Sequence, residues 1–189
     1  GEITTAEIGD NTTIRECVTV NRGTKAKNKT IIGKNCMLMA YVHVAHDCII
    51  GDNVILGNSC QLAGEVEVDN YAILSGLVAV HQFVHIGKHV MISGGSLVRK
   101  DVPPYIKAAH EPLAYAGVNS IGLRRRSFSN EQINNIQDIY REIYLKGNNN
   151  SQAMENIEAT MVPSPERDEV ILFLKNSSRG IIKGYSNDQ

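Results

Sequence analysis

An aliphatic residue recurs at every sixth position over most of the first hundred residues: Ile32, Leu38, Val44, Ile50, Leu56, Leu62, Val68, Leu74, Val80, Ile86, Ile92 and Val98. If Ile, Leu and Val make up about a quarter of residues, an unbroken run of this length arises by chance on the order of once in 10⁷. Four positions after each of these stands a small or β-branched residue, from Cys36, Val42, Cys48 and Val54 through to Val102. Both columns are predicted to point inward. Ile8, Ile14 and Val20 hold the same phase upstream, and residues 25–30 interrupt it as a polar loop.

A six-residue period suits short strands joined by sharp corners, and Gly, Asn and Asp stand where the corners fall: Gly33, Gly51-Asp52-Asn53, Gly57-Asn58, Asp69-Asn70 and Gly87. Three such strands close a triangular coil of roughly 18 residues, and stacked coils bury a column of Val, Ile and Leu that no single repeat could bury alone. The prediction is a mainly β protein: a parallel β-helix over residues 1–104. Periodicity does not fix its hand.

The pattern breaks after Val102-Pro103-Pro104. Residues 105–128 are expected to connect, with a basic loop at Arg124-Arg125-Arg126, and residues 129–189 to form a C-terminal α-helical domain. Ser129 with Gln132 reads as a capping box ahead of the stripe Ile133, Ile136, Tyr140, Ile143 and Tyr144, and Gly147 ends that helix. A second helix is predicted over Gln152 to Met161. Ser164-Pro165-Glu166 starts a third, burying Val170, Ile171, Phe173 and Leu174 and closing near Arg179-Gly180.

The chain has 189 residues, with 19 basic and 20 acidic side chains well mixed and a net charge of −1. Nothing in that balance asks for nucleic acid or an anionic membrane as partner, and no apolar run reaches the length of a membrane span. Of four cysteines, Cys36, Cys48 and Cys60 fall in the inward column, where a thiol packs as a small hydrophobe; Cys17 falls outside it. With no apolar leader ahead of them, a reducing, cytoplasmic setting is expected. The chain opens at Gly1-Glu2 and its first methionine is Met37, so an N-terminal portion is expected to precede Gly1.

The hexad register sorts the six histidines. In His43-Val44-Ala45-His46-Asp47-Cys48 the side chains of Val44 and Cys48 point in, which leaves His46 and Asp47 facing out. One coil after His46 comes Gly64, and one coil later Gln82. An imidazole that can take a hydroxyl proton, beside a glycine amide that can hold an oxyanion, is the minimum equipment for acyl transfer. His81, His85 and His89 are four apart, but they occupy different hexad positions and so point in different directions, which argues against a zinc site built from them. The arginine run could fork around a diphosphate. Ala40, Asn58, Gly76 and Gly94 form a column of small corner residues that could leave a groove for a hydrocarbon chain.

Several segments carry a resemblance: His43-Val44-Ala45-His46-Asp47-Cys48, Leu62-Ala63-Gly64, Ala79-Val80-His81-Gln82-Phe83, Asp101-Val102-Pro103-Pro104-Tyr105, Gly117-Val118-Asn119 and Leu123-Arg124-Arg125. In this order, and with this helical tail, they resemble the UDP-N-acetylglucosamine O-acyltransferases, hexapeptide-repeat acyltransferases whose reaction opens lipid A biosynthesis. The resemblance implies a left-handed β-helix and transfer of an (R)-3-hydroxyacyl group from acyl carrier protein to the sugar 3-hydroxyl, without metal, cofactor or covalent intermediate. It implies His46 as general base, Asp47 orienting it and Gly64 N–H holding the oxyanion. It further implies that His43, His81, Gln82, Asn119, Arg125 and Arg126 contact or support the nucleotide sugar, in a homotrimer with sites between subunits. Met91, Gly94 and Leu97 are expected to floor the acyl groove. Glu65 stands where many members carry a histidine, and Pro112 falls in a stretch that often holds another, so sugar contacts should differ in detail. Three alternatives remain: a β-helix zinc carbonic anhydrase, a related N-acyltransferase, and a non-catalytic scaffold that keeps the repeat.

Overall fold

The computed structural model describes residues 2–185. Its first hundred residues wind into a left-handed parallel β-helix with three sheets along its length. The first sheet stacks Thr5–Ile8, Lys29–Ile32, Ile49–Ile50, Glu67–Val68 and His85–Ile86; the second Thr13–Ile14, Met37–Leu38, Ile55–Leu56, Ile73–Leu74 and Met91–Ile92; the third Thr19–Val20, His43–Val44, Gln61–Leu62, Ala79–Val80 and Leu97–Val98. From Ile31 to Val98 partners within the coils are 18 residues apart (Ile31 pairs with Ile49), whereas the first coil pairs Thr5 with Lys29, 24 apart. The six extra residues loop out ahead of Lys29, earlier than the interruption expected at 25–30, since Lys29 and Thr30 already belong to the strand.

Every aliphatic of the main column from Ile32 to Val98 is at most 3% exposed, and the second column from Cys36 to Val102 at most 5%. Ile8 and Ile14 keep the phase but are 48% and 44% exposed, because they belong to the first described coil and no strand among the described residues stacks on their outer side. The corners explain the turn residues. The third residue after the aliphatic takes a left-handed backbone at Asn11 and Cys17 and, from Asn35 on, at every corner through Tyr41, Asp47, Asn53 and Ser59 to His89, with φ between 55° and 67°. Asn and Asp accept that conformation most readily, and bulky residues such as Tyr41, Leu77 and Phe83 are unusual there.

Cys36, Cys48 and Cys60 are buried, each thiol donating to a carbonyl of the next coil (Gly51, Ala63 and Ser75), and burial pushes the Cys48 thiol up to about 11. Cys17 is exposed at a corner.

The segment after the coils is more ordered than a connector. Ile106–Ala109 adds a parallel strand to the second sheet, and Ala114–Val118 returns antiparallel beside it. The basic run is not a loop. Helix α1, Ser120–Arg125, carries Arg124 and Arg125 in its last turn, with Arg126 as its C-cap. Helix formation was missed because Gly122 and the short length give little apolar period. Helices α2 (Asn130–Tyr144), α3 (Asn150–Thr160) and α4 (Pro165–Asn176) follow, and Lys183–Gly184 joins the edge of the second sheet. Ser129 and Gln132 form the capping box; a second box, Asn149 with Gln152, starts α3 two residues before the predicted start. Helix α4 ends at Asn176 rather than near Gly180, leaving Ser177 Oγ to donate to Asp101 at the end of the coil stack. Tyr140, fully buried, donates to the Pro104 carbonyl at 2.5 Å and so ties α2 to the top coil. Among the described residues no helix is long and apolar enough to cross a membrane.

Candidate active site

His46 sits on the corner where the third sheet turns into the first, with its side chain 41% exposed. Its Nδ1 lies 2.9 Å from Asp47 Oδ2. The sequence pattern left Asp47 facing solvent, and the structure corrects this: its side chain is 0% exposed. The reason is the looped-out insertion of the first coil, which folds over this corner from outside. Oδ1 of Asp47 accepts the Thr24 N–H at 2.8 Å and the Lys27 N–H at 3.3 Å; Oδ2 accepts the Thr24 hydroxyl at 2.5 Å. The Asp47 N–H donates to buried Thr30 Oγ at 2.8 Å. Burial alone would raise the Asp47 carboxyl, but the hydrogen bonds from Thr24, His46 and Lys27 prevail and hold it at about 2.

An ionised carboxylate can only accept, so the proton on the His46 ring belongs on Nδ1 and the lone pair on Nε2 faces outward. Gly64 lies one coil on. A Cβ built there would stand 2.6 Å from His46 Cε1 and 2.7 Å from Nε2, so the imidazole occupies the space that any other residue would fill. The two corners are laddered by Glu65 N–H to the His46 carbonyl at 2.9 Å, and Phe83 N–H continues to the Gly64 carbonyl at 3.2 Å. Among the described residues the Gly64 N–H donates to no acceptor. The corner thus offers a hydrogen-bond acceptor, Nε2, beside an unused amide donor, the arrangement needed to deprotonate a hydroxyl and hold an oxyanion.

His43 is on the outer side of the third sheet, its Nδ1 2.7 Å from Thr19 Oγ. His81 is exposed at the next corner position, its Nδ1 3.1 Å from the Gln82 carbonyl and 3.3 Å from Arg179 Nη2, contacts that one ring nitrogen can make only in alternation. Gln82 continues the His46 and Gly64 ladder. These groups share one edge of the prism.

Asn119, Arg125 and Arg126 lie elsewhere, by the corner between the first and second sheets. Asn119 is 4% exposed and caps α1, its amide donating to the His89 carbonyl at 2.9 Å while its oxygen accepts from Gly122 N–H. Arg126 donates to the Tyr71 and Gly122 carbonyls, and its guanidinium stands 5.3 Å from the Tyr71 ring centre. Arg125 is exposed. His89 is buried between the Tyr71 and Tyr105 rings, and burial, with Arg126 and Lys88 nearby, holds it down to about 4. One chain alone therefore does not bring the arginines to His46.

Met91 and Leu97 are half-exposed on the outer sides of the second and third sheets, and Gly94 is on the corner between them. Leu97 lines a cavity of about 550 Å³ with Arg99, Pro112, Leu113 and Tyr185, away from His46. His81, His85 and His89 occupy three separate surroundings, and among the described residues no three His, Cys, Asp or Glu side chains converge as metal ligands. Thr24 was missed by sequence reasoning. The signal available was an acid beside the candidate base that needed buried donors, next to an insertion able to supply them.

Known proteins resemble this chain over nearly its whole length. Residues 101–182 match a family model described as UDP-N-acetylglucosamine O-acyltransferase, domain 2, and residues 29–64 match the bacterial transferase hexapeptide repeat. An acyl-[acyl-carrier-protein]–UDP-N-acetylglucosamine O-acyltransferase of Thiobacillus denitrificans is 42% identical over 97% of this chain and 71% of its own length. The crystal structure of a UDP-N-acetylglucosamine acyltransferase from Bacteroides fragilis, 55% identical, superposes with a TM-score of 0.93 over 97% of this chain and 72% of that one. A counterpart from Acinetobacter baumannii, 39% identical, gives the same TM-score over 97% and 72% of the two chains.

Proposed function

The chain belongs to the UDP-N-acetylglucosamine O-acyltransferase family, and from that membership we propose that it moves an (R)-3-hydroxyacyl group from acyl carrier protein to the sugar 3-hydroxyl of UDP-N-acetylglucosamine, with His46 as general base. The reaction, acyl transfer to UDP-N-acetylglucosamine, is the first step of lipid A biosynthesis.

The observation that carries the residue roles is the His46 ring, tied through Nδ1 to Asp47 and seated on Gly64. Nε2 accepts the proton of the sugar hydroxyl as its oxygen attacks the thioester carbonyl. The Gly64 N–H then donates to the oxyanion of the tetrahedral intermediate, which collapses with cleavage of the C–S bond to expel the thiolate of the carrier's prosthetic arm; His46 passes to that thiolate the proton it took from the sugar hydroxyl. Asp47, already ionised, stabilises the transient imidazolium.

His43, His81 and Gln82 line the same edge and are assigned to the nucleotide sugar. Arg125 and Arg126 supply its diphosphate contacts, and Asn119 sets the start of the helix that carries Arg125. Since these groups sit on a different edge from His46 within one chain, the reading includes a homotrimer in which the arginines reach the His46 corner of a neighbouring copy. Exposed Tyr41, Leu77 and Phe83 at 61%, 68% and 49% are apolar surface that such contacts would cover. Within the described residues, 2–104 then carry the base, 105–128 the diphosphate contacts, and 129–185 cap the stack; the outer ends of the domains expected at 1–104 and 129–189 lie outside the described residues. Four free thiols fit a cytoplasmic setting. Met91, Gly94 and Leu97 floor the acyl groove.

The test is acyl transfer from a panel of 3-hydroxyacyl carrier proteins by the full gene product and its His46→Ala variant, with product followed by mass spectrometry. Loss of turnover with unchanged sugar binding supports the assignment. Turnover by His46→Ala at the parent rate would remove it.

A further inference from the structure

We propose that Thr24 is a positioning residue for the acyl-transfer reaction, acting through Asp47 on the aim of His46. The inference rests on the reading of His46 as base. Thr24 is on the looped-out insertion of the first coil, 23 positions from Asp47 in sequence, and it supplies two of the four hydrogen bonds that Asp47 accepts. Its hydroxyl donates to Oδ2, the same oxygen that accepts the His46 Nδ1–H, and accepts in turn from the Ala26 N–H at 3.2 Å. Its N–H fixes the other oxygen, Oδ1.

The loop that delivers Thr24 is itself over-determined. The Asn28 N–H donates to the Thr24 carbonyl at 2.7 Å, and the Gly23 N–H to the Thr5 carbonyl at 2.9 Å. A Cβ on Gly23 would stand 2.2 Å from the Lys29 nitrogen, so only glycine lets the loop close this tightly. Lys27 anchors the far side by donating to Glu67 at 2.7 Å. The loop therefore has anchors that do not depend on the Thr24 hydroxyl, at Gly23, Asn28 and Lys27.

A carboxylate with two donors on each oxygen has one orientation about its Cβ–Cγ bond. Remove the hydroxyl, and Oδ2 is left with His46 alone in a site closed to water. The carboxylate can then turn, and the Nε2 lone pair turns with the ring. Productive proton transfer needs that lone pair aligned with the sugar hydroxyl, so kcat carries the effect and sugar binding does not. The hydrogen bond to an ionised group sets the scale at about a tenfold loss.

The experiment compares Thr24→Val, Thr24→Ser, Asp47→Ala, Thr24→Val with Asp47→Ala, and His46→Ala in the full gene product, reading kcat, KM for UDP-N-acetylglucosamine and thermal midpoint. Thr24→Val is expected to lower kcat about tenfold with KM within about twofold. Thr24→Ser, which keeps both donors, restores turnover, and Thr24→Val costs nothing further once Asp47 is alanine. Should valine not fit, Thr24→Ala reads the same quantity. Parent-like kcat in the hydroxyl-free variants, or a loss that adds in full to that of Asp47→Ala, overturns the proposal while leaving His46 as base. An active His46→Ala overturns both.

Discussion

Gly64→Ala separates the position of the imidazole from every other feature of the site. The variant keeps the amide N–H assigned to the oxyanion, and the Gly64 backbone is not in the left-handed region, so alanine meets no conformational penalty. What it adds is a methyl group 2.6 Å from His46 Cε1 and 2.7 Å from Nε2. Ordinary carbon contacts need about 3.6 Å, so the ring must retreat by about 1 Å. The ring is 41% exposed and can do so by rotating outward, which breaks its bond to Asp47. That bond is partly solvated, so the stability lost is about 1 kcal/mol, or about 2–4 °C in thermal midpoint. Misplacing a reacting atom by that distance is worth about a hundredfold in kcat. The assay is initial-rate acyl transfer with parallel thermal unfolding. A parent-like kcat would refute the reasoning, and so would a collapse in thermal midpoint, since it would mean the ring cannot yield.

Asp47 is held at about 2 against an ordinary carboxylate value near 4, so its ionised form contributes about 2 kcal/mol of stability above pH 4, lost as pH falls from 4 toward 2. The thermal midpoints of the parent and Asp47→Asn should therefore converge over that window; a constant gap down to pH 2 would contradict it. His85 has the opposite sign. Burial would lower it, but Asp69, 3.1 Å away, with Glu67 and Asp101, raises it, so its stabilisation is full below the ordinary imidazole value and fades as pH rises through the raised one. Asp69→Asn should cost midpoint at pH 5 and little at pH 9, and an equal cost at both would remove the ion pair from the account. A Cβ on Gly94 stands 3.1 Å from the Gly76 carbonyl, and a long side chain there projects into the assigned acyl groove. Gly94→Met should shift donor preference toward shorter chains, whereas an unchanged chain-length profile takes Gly94 out of the groove.

The repeat was legible because a six-residue period is a local property: each inward aliphatic is chosen by the coil it stands in, and the same choice recurs at Ile32, Leu38, Val44 and onward. The His46 and Gly64 pairing was legible for the same reason, since a fixed period of 18 turns sequence separation into spatial adjacency. The capping box at Ser129 needed only neighbours three residues apart. Three things escaped. The burial of Asp47 depends on where a looped-out segment folds, and the hexad register says only that the segment is extra. Helix α1 forms around Asn119, whose amide is fixed by the carbonyl of His89, 30 residues back, a contact that no local pattern encodes. The separation of Arg125 from His46 is a matter of which prism edge each occupies. Local periodicity thus determined the coil, its core and the column carrying the base. Tertiary structure decided what surrounds that column, because hydrogen bonds to a buried carboxylate and docking of a helix on a finished sheet are set by distance in space and not along the chain.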